Sequence, residues 1–84
     1  MKQAITELIG RHVVAYRTER ELTQEEVADK AGISRQALSM IERGAQAPRW
    51  DTLYAIAGVL RCEVFDLIPS CKQVRALQAL LGPR

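Results

Sequence analysis

The feature that most constrains the fold is a pair of short helical segments joined by a turn of only a few residues. Thr23 and Glu26 form a T-x-x-E capping box, which satisfies two free backbone N–H groups where a helix begins. Gly32 ends that helix, because the left-handed conformation at a helix end favours glycine, and Ser34 caps the next one. So short a junction makes the second helix cross the first steeply, which predicts a helix-turn-helix corner.

Helical periodicity continues on both sides of this corner. Apolar residues recur at three- and four-residue spacings, and neither β-branched alternation nor an Asn-Gly or Asp-Gly hairpin turn occurs. We therefore expect an all-α fold of five helices with an additional C-terminal amphipathic helix. The predicted helices span about 3–17, 24–31, 35–43, a segment after Pro48, 64–68 and 71–81, the last ended by Gly82 and Pro83.

The helix after Pro48 is expected to carry its apolar residues on one face. These residues are Trp50, Leu53, Ile56, Ala57 and Leu60.

The chain is expected to divide into a helix-turn-helix domain, residues 1–69, and an extension of the same domain, residues 70–84.

Length and composition limit the class of protein. The chain has 84 residues, 48% of them apolar, and a net charge of +2, which indicates one small domain. No apolar run approaches the ~20 residues that span a bilayer, and the start lacks the apolar core of a signal peptide. With only Cys62 and Cys71, in no CxxC pairing, a soluble cytoplasmic protein with reduced thiols is expected.

The segment from Leu22 to Ile68, LTQEEVADKAGISRQALSMIERGAQAPRWDTLYAIAGVLRCEVFDLI, resembles the lambda-repressor/Cro-type (XRE-like) helix-turn-helix family of DNA-binding transcriptional regulators. The resemblance depends on several motifs in combination. They are Thr-Gln-Glu-Glu at the start of the second helix, Ala28, Gly32, Ser34, the Ile-Glu-Arg-Gly ending at Gly44, and Pro48. It implies that the third helix lies in the major groove of double-stranded DNA.

The face of the third helix that is not used for packing carries the candidate base-reading residues, which are Arg35, Gln36, Ser39 and Met40. Arginine matches guanine O6 and N7, and glutamine matches adenine N6 and N7. Met40 stands where the family often has a polar residue, and we expect it to contact a thymine methyl group.

The resemblance also assigns residues that hold the DNA backbone and the reading helix. The phosphate-binding candidates are Gln24, Ser34, Arg43, Gln46 and Arg49. Arg17 and Glu42 fall where the family has a structural salt bridge between the first helix and the end of the third.

Two further positions depart from the family pattern. Arg49 replaces a small capping residue, which predicts a weaker cap on the fourth helix. Arg61 replaces the usual glycine after that helix and is expected to be left-handed. The charge distribution favours one face, because 35–49 holds three arginines and one acid whereas 19–30 holds five acids and two bases.

Other chemistries are not supported. His12, Cys62 and Cys71 fit no zinc spacing, and no nucleophile elbow accompanies His12, Ser39 and Asp51. We expect no catalytic residue, no metal site, no cofactor and no enzymatic activity. Two functions remain: a sequence-specific regulator, acting as a repressor or autoregulator, or an antitoxin or adaptor that uses the same fold to bind protein.

The C-terminal helix is open to two interpretations. Its apolar stripe consists of Val74, Leu77, Leu80 and Leu81. The stripe either packs on the chain's own helices or forms a two-fold dimer interface, alone or jointly with the fifth helix. We favour a dimer on a palindromic operator, because one such unit covers only half of the contacts of a tight operator.

Overall fold

Six helices follow one another in residues 1–82, the part of the chain that the computed structural model describes, and no strand occurs there. They are α1 (Lys2–Glu19), α2 (Gln24–Ala31), α3 (Arg35–Glu42), α4 (Trp50–Leu60), α5 (Val64–Leu67) and α6 (Cys71–Leu81). The predicted all-α fold with an added C-terminal helix is confirmed. Pro83, predicted to help end the last helix, lies outside the described residues, as does Arg84.

Side-chain caps explain where three of these helices begin. The Thr23 hydroxyl accepts from the Glu26 backbone N–H at 3.0 Å, and the Glu26 carboxylate accepts from the Thr23 N–H at 2.8 Å. The bond from the Thr23 N–H holds the pKa of Glu26 below its usual value. The stabilisation that the Glu26 carboxylate gives the fold is therefore lost as the pH falls through that lowered pKa. Ser34 caps α3 through the Ala37 N–H at 3.0 Å, and Ser70 and Gln73 form a capping box on α6.

A residue in the left-handed conformation follows α2, just before the corner, and another follows α4. At Gly32 (φ 74°) the following N–H, of Ile33, donates to the Ala28 carbonyl at 3.0 Å, which turns the chain sharply toward α3. Arg61 adopts the left-handed conformation expected for it, with φ 56°. Glu21 does the same after α1 (φ 55°), which the sequence pattern did not indicate.

One hydrophobic core joins α1 to α5. Its buried residues are Ile9, Val13, Val27, Ala28, Leu38, Ile41, Leu53, Ile56, Ala57, Leu60, Val64 and Leu67. The helix α6 contributes none of them. His12 ties α1 to the end of α5, since its Nδ1 lies 2.9 Å from the Leu67 carbonyl oxygen. The core therefore holds the corner of α2 and α3 between α1 on one side and α4 on the other.

The expectation that Trp50 faces this core is wrong. Its side chain is 63% exposed and lies edge-on to Tyr54, with ring centroids 5.2 Å apart. Trp50 occupies the first turn of α4, where the helix has just left the surface loop and its first side chain is not yet over the core. The cap before it is weak as expected, because Arg49 makes no side-chain capping bond.

Candidate nucleic-acid interface

The helix α3 divides into a packed side and an open side. Leu38 and Ile41 are buried against the core. On the open side, Arg35 and Gln36 are exposed at the first turn, and Ser39 and Met40 are half-buried behind them. Within residues 1–82, the side chains of Arg35, Gln36 and Ser39 form no hydrogen bond or ion pair with the protein. Their donors and acceptors are free for an external ligand.

The loop after α3 adds positive charge to the surface that follows this helix. Arg43, Gln46 and Arg49 are all exposed. Arg49 Nε lies 3.5 Å from an Asp51 carboxylate oxygen, but both side chains are largely in solvent, so this pair is weak. Ser34 uses its oxygen lone pair as the α3 cap, which leaves its O–H free to donate.

A buried ion pair fixes the far end of α3. Arg17 Nε donates to Glu42 Oε2 at 2.6 Å and its Nη2 donates to Oε1 at 3.1 Å. The Glu42 side chain is 4% exposed and that of Arg17 16%. Arg17 Nη1 also donates to the Leu22 carbonyl at 2.8 Å, just before α2. This geometry is bidentate and charge-assisted, and it ties α1, the start of α2 and the end of α3 together.

Gln24 joins this ion pair. Its Nε2 donates to Glu42 Oε1 at 2.8 Å, so its side chain is turned inward and half-buried. A phosphate contact by this side chain would have to use the second amide hydrogen. The Gln24 backbone N–H lies in the first turn of α2, at the positive end of the helix dipole, and so remains suited to an anion.

Gly10 is a structural residue that the sequence reasoning missed. It lies in α1 where that helix meets the end of α3, and a Cβ there would overlap the Ile41 carbonyl oxygen and come 2.7 Å from the Glu42 carbonyl oxygen. The backbones of α1 and α3 can approach this closely only because Gly10 has no side chain. The available signal was a glycine inside an otherwise regular helical pattern, which often marks such an approach.

Acidic residues cluster on α2, whereas α3 and the loop after it carry the arginines. A shallow groove on α2 is lined by Thr23, Glu25, Glu26 and Asp29. The segment 35–49 therefore carries a local excess of positive charge despite the small net charge of the chain.

Comparison with known sequences identifies the arrangement. The sequence model of the helix-turn-helix family matches residues 13–67, which run from α1 through α5. The chain belongs to this family. It is of the lambda-repressor/Cro, or XRE, type, which consists of DNA-binding transcription regulators.

Two curated relatives and one solved structure illustrate the membership. The helix-turn-helix chain is 38% identical over 71 residues to the immunity repressor protein of Bacillus phage phi105, covering 84% of this chain and 49% of the repressor. It is 41% identical over 61 residues to the uncharacterized HTH-type transcriptional regulator y4dJ of Sinorhizobium fredii, covering 73% and 79% respectively. The chain thus spans about half the length of the phage repressor.

The solved structure is the N-terminal DNA binding domain of SinR from Bacillus subtilis. It matches with a TM-score of 0.72 and 33% identity, over 77% of this chain and 96% of that domain. In residues 1–82 of the helix-turn-helix chain, no helix is long and apolar enough to cross a membrane.

Proposed function

We propose that this helix-turn-helix chain is a sequence-specific regulator that binds double-stranded DNA with α3 in the major groove. The observation that carries the proposal is the free first turn of α3. Arg35 and Gln36 project from it without a protein partner in residues 1–82, while Leu38, Ile41 and Glu42 hold the same helix in place. A rigid helix with unpaired, base-matching donors is what direct readout requires.

We further propose that the chain acts as a dimer on a palindromic operator, as a repressor or autoregulator. A two-fold pair of reading helices would contact half-sites about one helical turn (~34 Å) apart. Residues 1–69 would form the DNA-binding unit, with 70–84 as its extension. The two inner residues of the α6 stripe, Val74 and Leu77, are half-buried, while Leu80 and Leu81 are exposed.

Selection of bound duplexes from a random pool tests this function. A palindromic consensus with two equal half-sites is the expected result. A consensus with a single half-site would contradict the dimer and leave direct readout in place. No enrichment of any sequence would contradict DNA reading and favour the antitoxin or adaptor function.

Arg35→Ala is expected to weaken binding to the selected operator by ~1–3 kcal/mol per half-site and to relax base preference at one position of each half-site. The reason is loss of a bidentate contact from the exposed first turn of α3. Fluorescence anisotropy and a repeated selection with the variant measure the two effects. Arg75→Ala, which removes the same charge from an exposed position on α6, is the control. An unchanged consensus with weaker binding would instead assign Arg35 to phosphate.

Arg43→Ala and Arg49→Ala are expected to weaken binding almost equally for all sequences. Each should reduce the slope of log affinity against log salt concentration by ~1 per bound chain, because each chain then releases one fewer counterion from the DNA. A salt titration of each variant measures this slope. A slope equal to that of the unsubstituted chain would exclude the residue from the phosphate contacts.

A further inference from the structure

A polar stripe runs along α1 beside its apolar face. Gln3, Glu7, Gly10 and Arg17 are four, three and seven residues apart, so they lie on one side of the helix. We call these four residues the α1 stripe. Arg17 and Gly10 hold the end of α3, through the side chain and the backbone of Glu42. Gln3 and Glu7 contact the chain just beyond it.

Gly44 is packed directly against α1. It is buried and left-handed, with φ 74°. A Cβ on it would come 2.8 Å from Glu7 Cγ and 3.0 Å from Glu7 Cα, so the close approach requires glycine as much as the turn does. The Gln3 amide adds a hydrogen bond, since its Nε2 donates to the Gly44 carbonyl oxygen at 3.1 Å. The same Nε2 lies 3.4 Å from Glu7 Oε2, which orients the amide.

The loop that begins at Gly44 has few other attachments. The Ala45 N–H donates to the Met40 carbonyl at 2.9 Å and completes the turn out of α3. Beyond it, the backbone of 46–48 forms no hydrogen bond to any group in the described part of the chain, residues 1–82. Within the same residues, the bond from Gln3 is the one side-chain hydrogen bond that the backbone of 43–49 receives. The α1 stripe is therefore the main anchor of this loop.

An anchored loop matters for binding to a charged ligand. A loop that becomes ordered only when it binds loses conformational entropy at that moment, and affinity falls accordingly. The hydrogen bond from Gln3 and the packing of Gly44 on Glu7 fix where the loop leaves α3 before any ligand arrives. The free chain thus already holds the start of the loop in place.

We infer that Gln3 is a positioning residue for DNA binding, which orders the loop after α3 so that Arg43, Gln46 and Arg49 reach the DNA backbone. The inference rests on the proposed function and deepens it, because it adds a residue of α1 that acts through the loop and does not touch DNA. Gln3 bonds to the loop and not to the reading helix, so the bases that are read should not depend on it.

Gln3→Met tests the inference, because methionine keeps the length and helix preference of glutamine but has no N–H to donate. We expect its affinity for duplexes of any sequence, measured by fluorescence anisotropy, to fall by ~3–10-fold with an unchanged selected consensus. Its midpoint of urea denaturation should change little, since Gln3 is exposed and water can bond to the freed Gly44 carbonyl. Gln78→Met, the same exchange at an exposed position on α6, should bind like the unsubstituted chain.

A second background shows whether Gln3 acts through the loop. In a chain that already carries Arg43→Ala and Arg49→Ala, Gln3→Met should lower affinity by less than ~2-fold, because most of the groups that it positions are gone. An equal loss of affinity in both backgrounds would overturn the inference, since Gln3 would then act on DNA directly or through another element.

Backbone amide relaxation of the isotope-labelled free chain tests the anchor without DNA. The order parameters of Ala45, Gln46 and Ala47 should fall in Gln3→Met, while those of α3 stay the same. Unchanged order parameters in the loop would overturn the inference.

The unsubstituted chain distinguishes failure of this inference from failure of the proposed function. If it binds duplex DNA and Gln3→Met binds equally well, the inference alone is wrong. If it binds no duplex, the proposed function is wrong and the role of Gln3 in DNA binding fails with it, whatever the relaxation data show for the loop.

Discussion

Glu42→Ala is expected to lower the free energy of unfolding by ~3–5 kcal/mol. Glu42 is almost fully buried and accepts three hydrogen bonds, two from Arg17 and one from Gln24. Its removal leaves the Arg17 guanidinium in a site with little water and no counter-charge. A domain of this size has a total stability of about 5–15 kcal/mol, so the variant should be close to unfolding at 25 °C. Equilibrium urea denaturation measures the change.

A double variant that removes both charges identifies the cause. Arg17→Met with Glu42→Leu removes both charges and should be markedly more stable than Glu42→Ala alone, because no charge remains stranded. The exposed pair Arg20 and Glu19 is the comparison, and Glu19→Ala should change stability by less than ~1 kcal/mol. A loss of that small size for Glu42→Ala would show that solvent screens the Arg17–Glu42 pair.

Gly10→Ala is expected to destabilise the fold by ~3 kcal/mol, at the upper end of what overpacking costs. Alanine normally stabilises a helix relative to glycine, so the sign of the effect depends on the packing of α1 against α3. The added methyl group would overlap the Ile41 carbonyl oxygen and push the end of α3 away. Urea denaturation gives the size of the effect, and binding to the operator by the folded variant gives its influence on α3.

The matched control is Gly58→Ala, at the one other glycine inside a helix of residues 1–82. At concentrations where the chain is monomeric, it should stabilise the fold by ~0.5–1 kcal/mol, because its methyl group meets open space. Equal effects of the two substitutions would show that α1 and α3 can separate at little cost.

The elements that could be predicted from the sequence are those specified by neighbouring residues. The capping box of Thr23 and Glu26, the turn at Gly32 and the cap at Ser34 each act within a few positions, so their residue types identify them. The left-handed Arg61 was expected from the family resemblance, because glycine is usual at that position.

The features that escaped prediction depend on residues far apart in the chain. The need for glycine at Gly10 arises from the backbone of Ile41 and Glu42, and the inward turn of Gln24 arises from the Glu42 carboxylate. Periodicity assigned Trp50 to the core because it is large and apolar. Periodicity does not show where the core ends, and the first turn of α4 lies beyond it.

The division of α3 into two sides has a consequence for how such a domain can change over evolutionary time. The residues that hold the helix are Leu38, Ile41 and Glu42, and none of them is among the four proposed to read bases. Arg35 and Gln36 form no bond within residues 1–82, so replacing them should cost the fold little. Under the proposed base reading, new operators would be acquired by exchanging first-turn side chains, one substitution at a time, without a compensating change in the interior.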